Sequence, residues 1–511
     1  MTPHLSRRLA SAAVASAFLL VVTGCSDSSS DVVALHLTDA GCEPGGLALP
    51  AHAVTVRVSN GGAAGAVEVQ REDGTSVARL ADLGAGQTKD LKVDLPTGFY
   101  SVECGSPDAL SRLTIGTPTG TPVDLGSVAA ADRPAPTGYG VADGNAYVAT
   151  NLVASSAAYH PQIVNPALVD AWGLANRPAG AGGHIWVAAN KTGTSLEYIG
   201  DVGKVPLYGK DLSIISVPGA PDTRAGAPAG ASVQGQPTGV IFNTAAPSFV
   251  VDQGAISAPA KFLFAGQDGT ISAWTEQANP NGSTTQLAWA TVVVDASADG
   301  SQYFGLAITP DGSRLLAADF GSSPGIKSFD TSFHPVPTQG FANPFLTGAP
   351  KAGSLVPWNV TTVGDKVFVS YAAFGADDTD PKAPAPGSEE HAAGQGRVVE
   401  YDTHGTQIRV LDDRGALDAP WGITTAPAGF GKLAGDLLVA NFGDGTISAF
   451  DANGTFVDVV RGADGKPLVN PGIWALLPGN GASLGAADAV YFTAGPNAER
   501  DGVFGRIDAK R

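Results

Sequence analysis

The chain has 511 residues, of which only 15% are charged, while its 66 glycines and 36 prolines together make up about a fifth of it. A hydrophobic fraction of 43% is ample for a sizeable core, which excludes a wholly disordered chain. The formal net charge of −18 disfavours contact with a phosphate backbone, so we exclude nucleic acid as a partner.

The first 24 residues predict a signal peptide rather than part of the fold. Arg7 and Arg8 precede an uncharged apolar stretch at 9–23, which is short for a bilayer span but typical of a secretory signal. The stretch ends in Val-Thr-Gly-Cys at 22–25, which resembles the lipobox of bacterial lipoproteins and implies that Cys25 carries the lipid. A plain secretory signal is the alternative.

The following residues bear on the location of the protein. A serine-rich segment at 25–31 is typical of a flexible tether, and Ser26 is not the aspartate that marks inner-membrane retention in many Gram-negative lipoproteins. We therefore expect an exported protein that is attached to the membrane of a bacterial cell envelope through its lipid anchor. In a Gram-negative cell this membrane would be the outer one.

Residues 32–116 predict a small β-sandwich. Apolar and polar residues alternate at 54–58, 67–70 and 91–95, and Gly- or Pro-containing turn signals separate these runs. Residues 117–140 contain four prolines among glycine, threonine and alanine, which predicts a linker. Cys42 and Cys104 form an even pair of cysteines in an oxidising compartment.

Residues 32–115 resemble the cupredoxin-like domain found in the periplasmic component of EfeO-type iron uptake. The shared features are Asp-Ala-Gly-Cys-Glu-Pro at 39–44, Gly-Phe-Tyr-Ser-Val-Glu-Cys-Gly at 98–105, and Glu68 between them. A blue-copper centre needs two histidines, a cysteine and usually a methionine. The chain has no methionine beyond Met1, and the next histidine after Cys104 is His160, so we exclude type 1 copper electron transfer.

Two interpretations of the cysteine pair stay open. Cys42 follows the first predicted strand and Cys104 ends the last one, so a disulfide is one interpretation. It would close a loop of about 60 residues and stabilise the domain by about 4 kcal/mol. The other is a metal site for copper or iron, formed by Cys42, Cys104, Glu68 and either Glu43 or Glu103.

From about residue 141 to the end, a sixfold internal repeat predicts a six-bladed β-propeller. Each copy begins with a short apolar strand and continues with an apolar strand, a tight turn and another strand, as at 262–274 and 437–451. The copies begin at residues 173, 239, 305, 359, 422 and 472. A strand at 147–150 or at 503–507 is expected to complete a split blade. The predicted fold is therefore all-β, a small cupredoxin-like sandwich followed by a propeller over 141–511.

The repeat region, roughly 145–508, resembles NHL-type propellers, and more specifically a family of uncharacterised exported bacterial proteins. The resemblance rests on Asp-Ala-Trp-Gly at 170–173, Pro-Trp-Gly-Ile at 420–423 and Ala-Asn-Phe-Gly-Asp-Gly at 440–445. It implies a fold and a location but no reaction.

Propellers bind ligands where their inner strands converge on a central tunnel. The candidate residues are four tryptophans near the starts of the repeats and four polar residues after the second strands: Trp172, Trp358, Trp421, Trp474, Asn190, Asp268, Asp319 and Asn441. The alternative is that they are packing and turn-forming residues. A propeller lactonase would hold a metal such as calcium with Glu, Asn and Asp. Asn190, Asp319 and Asn441 supply part of that set, but no glutamate stands at a repeat start.

One further segment, residues 377–391, carries five carboxylates and is inserted between the middle strands of the fourth repeat. It would either bind calcium, act as a lid, or form a solvated acidic loop, and the sequence favours the loop. Taken together, these features favour a non-catalytic binding or scaffold protein whose propeller binds a protein, a glycan or a small ligand. Handling of copper or iron by the small domain is the first alternative, and a metal-dependent lactonase or hydrolase is the second.

Overall fold

The computed structural model describes residues 32–38, 41–43, 46–49, 53–61, 65–71, 76–96, 98–104, 110–115, 144–209, 214–223, 231–254, 256–279, 284–377 and 382–510. Within these ranges the regular structure is β-strand, apart from four short 3₁₀-helices: Ala157–Tyr159, Asn190–Thr192, Ser297–Asp299 and Gly431–Leu433. The predicted signal peptide, Cys25, the tether and the linker lie outside the described residues. No helix long and apolar enough to cross a bilayer occurs in the described ranges.

The N-terminal part is a sandwich of two sheets. In spatial order the strands of the first sheet are Gly41–Glu43, Val32–Thr38, Val54–Asn60 and Thr88–Val93. Those of the second are Gly46–Leu49, Leu110–Ile115, Gly98–Cys104, Gly65–Arg71 and Ser76–Leu83. Two pairs of strands are parallel, Val32–Thr38 with Val54–Asn60 and Gly46–Leu49 with Leu110–Ile115.

The alternation of residues along these strands explains the core of the sandwich. Val54, Val56 and Val58 are buried, whereas Arg57 between them is exposed and forms an ion pair with Asp90 on the neighbouring strand. The buried cluster comprises Leu35, Leu37, Val54, Val56, Val58, Val67, Val69, Leu83, Leu91, Val93, Tyr100 and Val102. Because side chains alternate between the faces of a strand, each sheet contributes one apolar face to this core.

The remainder of the chain forms six blades, each built on four antiparallel strands. From the innermost strand outward, the first blade contains Ala171–Ala175, Ile185–Ala189, Thr194–Tyr198 and Ile214–Ser216. The second contains Pro237–Phe242, Phe262–Gly266, Thr270–Trp274 and Thr291–Asp295. The third contains Tyr303–Ile308, Leu315–Asp319, Gly325–Phe329 and Pro335–Val336.

The fourth blade contains Leu355–Val363, Lys366–Ala376, Gly396–Tyr401 and Gln407–Val410, with Pro384–Glu390 paired to its second strand. The fifth contains Pro420–Thr425, Leu437–Asn441, Ile447–Phe450 and Phe456–Val459. The sixth contains Ile473–Pro478, Val490–Ala494, Val503–Ala509 and Tyr147–Ala154, with Ile163–Val164 at its edge. Pro218–Pro221 and Ser232–Gln234 form a small hairpin between the first and second blades. Two more hairpins lie within the second blade, Val250–Gln253 with Ile256–Pro259 between its first two strands and Glu276–Ala278 with Thr284–Gln286 between its last two.

The sixth blade closes the ring with strands from both ends of the repeat region. Val503–Ala509 lies between Val490–Ala494 and Tyr147–Ala154, so both strands that the sequence offered for a split blade take part. Just before the N-terminal strand, Asn145 donates a hydrogen bond to Asp458 at 3.0 Å, and Arg461 contacts the same carboxylate at 2.7 Å. This buried group of three side chains fastens the first strand of the propeller to the fifth blade.

Every innermost strand contains a β-bulge near its beginning, at equivalent positions in the six blades. Neighbouring inner strands approach closely there. A Cβ on Gly173 would lie 2.5 Å from the backbone nitrogen of Val240, and one on Gly422 would lie 2.9 Å from that of Leu476. The repeated glycine is therefore required by the close approach of the backbones around the central axis.

The sixth repeat starts later than the sequence pattern indicated. The strand register places Ala475, not Gly472, at the position that Gly422 occupies in the fifth blade. Gly472 lies in the preceding turn with a φ of 67°, where the left-handed backbone favours glycine. The conformation of the turn therefore favours glycine at position 472, and Gly472 does not occupy the strand position that the repeat pattern gave it.

Candidate functional site

The centre of the propeller is filled by aromatic side chains, which we call the aromatic plug: Trp172, Phe304, Phe320, Trp358, Trp421, Phe442 and Trp474. The Trp474 ring lies between those of Trp172 and Phe442, at centroid distances of 3.7 and 3.9 Å. Trp358 contacts Phe320 edge to face at 4.6 Å. All four tryptophans predicted to face a tunnel ligand therefore pack against one another or against neighbouring phenylalanines.

The plug follows from the repeat. Trp172, Phe304, Trp358, Trp421 and Trp474 each precede the bulged position of an inner strand, so five blades send an aromatic ring toward the same region. The second blade has Thr238 there, whose hydroxyl donates a hydrogen bond to the carbonyl of Tyr303 at 2.7 Å.

The four indole NH groups of the plug differ in their partners. Trp474 donates to Asp170 Oδ1 at 3.1 Å, and Trp421 donates to the carbonyl of Phe304 at 3.1 Å. The Nε1 atoms of Trp172 and Trp358 are buried without a hydrogen-bond partner. Since a buried unpaired donor is costly, these two groups mark places where a ligand atom or a water could be accommodated.

Asn441 and Asp319 are buried and hold nearby loops. Asn441 accepts a hydrogen bond from the backbone of Asp418 at 3.2 Å, and its amide donates to the carbonyl of Ala416 at 3.1 Å. Asp319 accepts from the backbone nitrogens of Gln302 and Gly321 at 2.9 and 2.8 Å. The polar groups of both residues therefore stabilise the backbone around the ends of their strands.

Asn190 and Asp268 occupy different surroundings. Asn190 makes only long contacts, at 3.4 Å, to the carbonyl of Pro237 and to Gln267, and its Oδ1 is buried without a donor. Asp268 accepts a hydrogen bond from Thr270 Oγ1 at 2.7 Å, as expected for a turn. Among the described residues, no group of three or more His, Cys, Asp or Glu side chains could hold a metal ion.

The cysteine pair lies on two different sheets of the sandwich. Cys42 is on the edge strand Gly41–Glu43, opposite Leu37, and Cys104 is opposite Val67. Cys104 does not end the last strand, as the sequence suggested, because Leu110–Ile115 follows it in the same sheet. The side chains of Cys42, Cys104, Glu43 and Glu103 lie outside the described residues, so the disulfide and the metal site both stay predictions.

Glu68, the carboxylate predicted to join that metal site, forms an ion pair with Arg79 at 3.5 Å. It alternates along its strand with the buried Val67 and Val69, so it lies on the face of the sheet opposite the core. A metal role for Glu68 would be shared with this ion pair or would replace it.

One end of the tunnel, which we call the neutral mouth, is a cavity of about 550 Å³. All six inner strands contribute to its lining, with Leu174, Val240, Leu306, Val360, Ile423 and Leu477 among the apolar members. Every residue that lines it is uncharged; the polar members are threonines and the asparagines Asn176 and Asn359. A hydrocarbon surface of this kind favours an uncharged ligand.

Asn359 forms part of the neutral mouth where the other blades have glycine or alanine. Its amide donates a hydrogen bond to the carbonyl of Trp421 at 2.7 Å, and its side chain lies against Gly305. It thereby joins the inner strands of three neighbouring blades beside the aromatic plug.

The second cavity, which we call the acidic mouth, has a volume of about 330 Å³ and lies at the beginnings of the inner strands. Its lining comprises Trp172, Gln267, Phe304, Gly387, Ser388, Glu389, His391, Phe442, Gly443, Asp444, Gly445, Gly472, Gly495, Ala498 and Glu499. It therefore borders the same plug but carries four titratable side chains.

The acidic insertion of the fourth blade supplies part of this lining. Its strand Pro384–Glu390 pairs with the second strand of the blade, and the backbone of Gly387 donates to the carbonyl of Phe320 at 2.9 Å. Gln302 donates to the carbonyl of Pro386 at 3.2 Å. The segment is therefore not simply the solvated loop that the sequence favoured, because Glu389 is partly buried beside the plug. Residues 378–381 lie outside the described ranges.

Three carboxyl groups and one ammonium group interact at the acidic mouth. Lys191 Nζ lies 3.0 Å from Glu499 Oε2 and 3.6 Å from Asp170 Oδ2. Burial and the charge of Glu499 raise the pKa of Asp170 well above its usual range, and the same two causes raise the pKa of Glu389 to about 8. Although burial opposes its charge, Glu499 and Asp170 raise the pKa of Lys191.

The sequence pointed to this group only in part. Asp170 belongs to the quoted motif at 170–173, and Glu389 belongs to the acidic insertion. Lys191 directly follows Asn190 but carries no motif of its own, and Glu499 lies in the connection between the second and third strands of the sixth blade. Their convergence is set by ring closure, which brings the first and sixth blades together.

Comparisons with known proteins give relatives but no activity. No family model matches the chain. It is 28% identical over 365 residues to an uncharacterised protein of Acanthamoeba polyphaga mimivirus, covering 71% of this chain and 79% of the relative. A second uncharacterised mimivirus protein is 28% identical over 367 residues, covering 71% of this chain and 84% of the relative.

Solved structures resemble the two parts of the chain separately. Auracyanin from Roseiflexus castenholzii covers 17% of this chain and 99% of its own, with 15% identity and a TM-score of 0.16. Streptogramin B lyase covers 71% of this chain and 97% of its own, with 10% identity and a TM-score of 0.35. The comparisons do not support the bacterial family suggested by the sequence, since the two relatives named above are viral. The chain is an all-β protein in which a cupredoxin-like sandwich precedes a six-bladed propeller.

Proposed function

We propose that this protein is a non-catalytic binding protein whose propeller holds an uncharged ligand in the neutral mouth. The observation that carries the proposal is the cavity of about 550 Å³ with an entirely uncharged lining. Its volume falls in the range typical of small-molecule sites, which are mostly apolar and use a few polar groups to orient the ligand.

The polar groups of the neutral mouth suit recognition rather than proton transfer. Thr361, Thr362, Thr424 and Thr425 offer hydroxyl groups, and Asn176 offers an amide, none of which changes charge near neutral pH. Apolar surface from the six inner strands supplies the driving force, since burying it contributes roughly 25 cal/mol per Å².

The hydrogen bonds of the candidate metal ligands also favour binding over hydrolysis. Asn441 bonds to the backbone through both its oxygen and its amide nitrogen, so recruiting it to a metal would remove loop contacts. Asp319 Oδ1 holds the backbone in the same way, while its Oδ2 lies 3.5 Å from Lys327 Nζ. We further propose that the protein is exported and held at a bacterial cell envelope by a lipid on Cys25, with the sandwich as an accessory domain.

Fluorescence titration of the full chain with Nile red, an uncharged dye whose emission rises in apolar surroundings, tests the proposal. Leu477→Lys places a charge on a partly buried residue of the lining, whereas Val148→Lys makes the same kind of change on an exposed strand of the sixth blade. Because an ammonium group disfavours an apolar cavity, we expect Leu477→Lys to weaken dye binding at least about 10-fold. Val148→Lys should leave it within about twofold. Absence of saturable dye binding, or equal binding by both variants, would contradict the proposal.

A further inference from the structure

We infer that the acidic mouth is a second, separate site that binds a protonated amino alcohol, a small organic cation carrying a hydroxyl group next to its ammonium. Carboxylates of the mouth would receive the ammonium, and the indole NH of Trp172 would donate to the hydroxyl oxygen. The inference does not depend on the ligand proposed for the neutral mouth.

The first argument is an excess of carboxyl groups over cations. Glu389, Glu499 and Asp444 line the cavity, and Asp170 adjoins it through its contact with Lys191. Lys191 is the one ammonium group that the described ion pairs place there, and it already contacts two of these carboxyl groups. A second cation would favour the ionised forms of Asp170 and Glu389, whose pKa values are raised in its absence, whereas an anion would oppose their ionisation.

The second argument comes from buried polar atoms that lack partners. Trp172 is only 2% exposed and lines the cavity, and its Nε1 has no acceptor. Asn190, whose amide donates to the lining residue Gln267, has a buried Oδ1 without a donor. An amino alcohol supplies both missing partners, an oxygen that accepts and an ammonium or hydroxyl group that donates.

The third argument is the shape and surface of the cavity. At about 330 Å³ it is at the small end of ligand sites, and its aromatic side consists of Trp172, Phe304 and the partly exposed Phe442. Aromatic faces attract organic cations, and this attraction is strongest where water is displaced. Since no cluster of three metal-ligating residues occurs in the described part of the chain, the chemistry favours an organic cation over a metal ion.

Calorimetric titration of the full chain with three small ligands tests this inference without any mutation. The ligands are ethanolamine, ethylammonium, which lacks the hydroxyl, and ethylene glycol, which lacks the charge. At about pH 8 both amines are protonated, as a lysine side chain is. We expect ethanolamine to bind most tightly, ethylammonium about 10-fold more weakly, and ethylene glycol more weakly still. Equal binding of ethanolamine and ethylene glycol, or no binding of ethanolamine, would overturn the inference.

A pair of variants then locates the site. Glu499→Gln removes a charge from the lining, and Asp365→Asn removes one from an exposed turn of the fourth blade. Ethanolamine affinity should fall at least about 10-fold in the first variant and stay within about twofold in the second. Unchanged affinity in Glu499→Gln, with a melting temperature close to that of the unmodified protein, would place the cation elsewhere. If Glu499→Gln loses ethanolamine affinity but keeps Nile red binding, the two mouths bind their ligands independently.

Discussion

The two mouths of the propeller share one aromatic plug but differ in the origin of the residues that line them. The neutral mouth is lined largely by the inner strands, whose side chains face a crowded axis and are apolar or small. The acidic mouth adds residues outside the inner strands from the second, fourth, fifth and sixth blades, including Glu389, Asp444 and Glu499. Loops tolerate charge because their side chains reach solvent, whereas inner-strand positions have to fit between neighbouring blades.

This difference separates residues that build the scaffold from residues that give each mouth its chemistry. The glycine of the bulge and the aromatic residue before it recur from blade to blade, and they form the close ring and the plug. Asn359 and Glu389, by contrast, occur in one blade only. In a repeat protein, departures from the repeat are therefore better guides to a site than the repeated residues themselves.

The largest loss of stability is expected for a substitution of Trp474, whose indole ring belongs to the aromatic plug that both mouths share. Trp474 is fully buried between Trp172 and Phe442 and donates to Asp170. Trp474→Ala should lower the free energy of unfolding of the propeller by about 3–5 kcal/mol, because it removes a large core side chain and leaves Asp170 Oδ1 without its indole donor. Urea denaturation measures this change.

The matched control is Trp289→Ala, since Trp289 is 49% exposed. This variant should lose no more than about 0.5–1 kcal/mol. Equal losses in the two variants would mean that the plug contributes little to stability. The plug would then not be the structural element that divides the tunnel into two sites.

The architecture was predictable because its determinants are local. Alternating residues such as Val54, Val56 and Val58 define strands, and the recurrence of glycine before short apolar runs defines blades. The start of the sixth repeat was misplaced because Gly472 satisfies a turn while Ala475 occupies the equivalent strand position. Backbone spacing across the ring decides between them, and no single repeat contains that information.

The candidate site was less predictable because its chemistry depends on contacts between distant segments. Lys191 and Glu499 are 308 residues apart in sequence and form a 3.0 Å ion pair only after the ring has closed. The tryptophans pack together at the centre of the propeller, and the sequence does not reveal that stacking would bury them. Asn441 and Asp319 likewise stand where ligands would be expected, while their hydrogen bonds go to the backbone.

An intermediate effect is expected at the neutral mouth. Asn359→Gly introduces the residue that four of the other blades have at this position. The backbone should therefore fit there without rearrangement. The substitution also leaves the carbonyl of Trp421 without its donor, which should cost about 1–3 kcal/mol of stability. The same variant should change Nile red affinity, because Asn359 lines the cavity, and should leave ethanolamine affinity within about twofold. A change in ethanolamine affinity without a change in Nile red affinity would assign Asn359 to the acidic mouth instead.

The effect that most directly contrasts the mouths is a dependence of stability on pH at Glu389. The pKa of this carboxyl is raised from 4.5 to about 8, so between these values the folded chain holds a proton that the unfolded chain has lost. Stability attributable to Glu389 therefore falls as the pH rises through this window, with a slope of at most about 1.4 kcal/mol per pH unit. Below about pH 4.5 both states are protonated, and above about pH 8 both are ionised, so the contribution is constant there.

Glu389→Gln cannot lose a proton, so its stability relative to the unmodified protein should increase from about pH 5 to about pH 8 and then level off. Urea midpoints at several pH values measure this difference, in which the contributions of groups that do not interact with Glu389, such as the buried Glu197, cancel. Asp365→Asn, which alters an exposed carboxylate beside Lys366, should show no such increase in this range. A difference between Glu389→Gln and the unmodified protein that stays constant with pH would mean that Glu389 is solvated. The acidic mouth would then lack the desolvated carboxyl group that distinguishes it from an ordinary acidic surface.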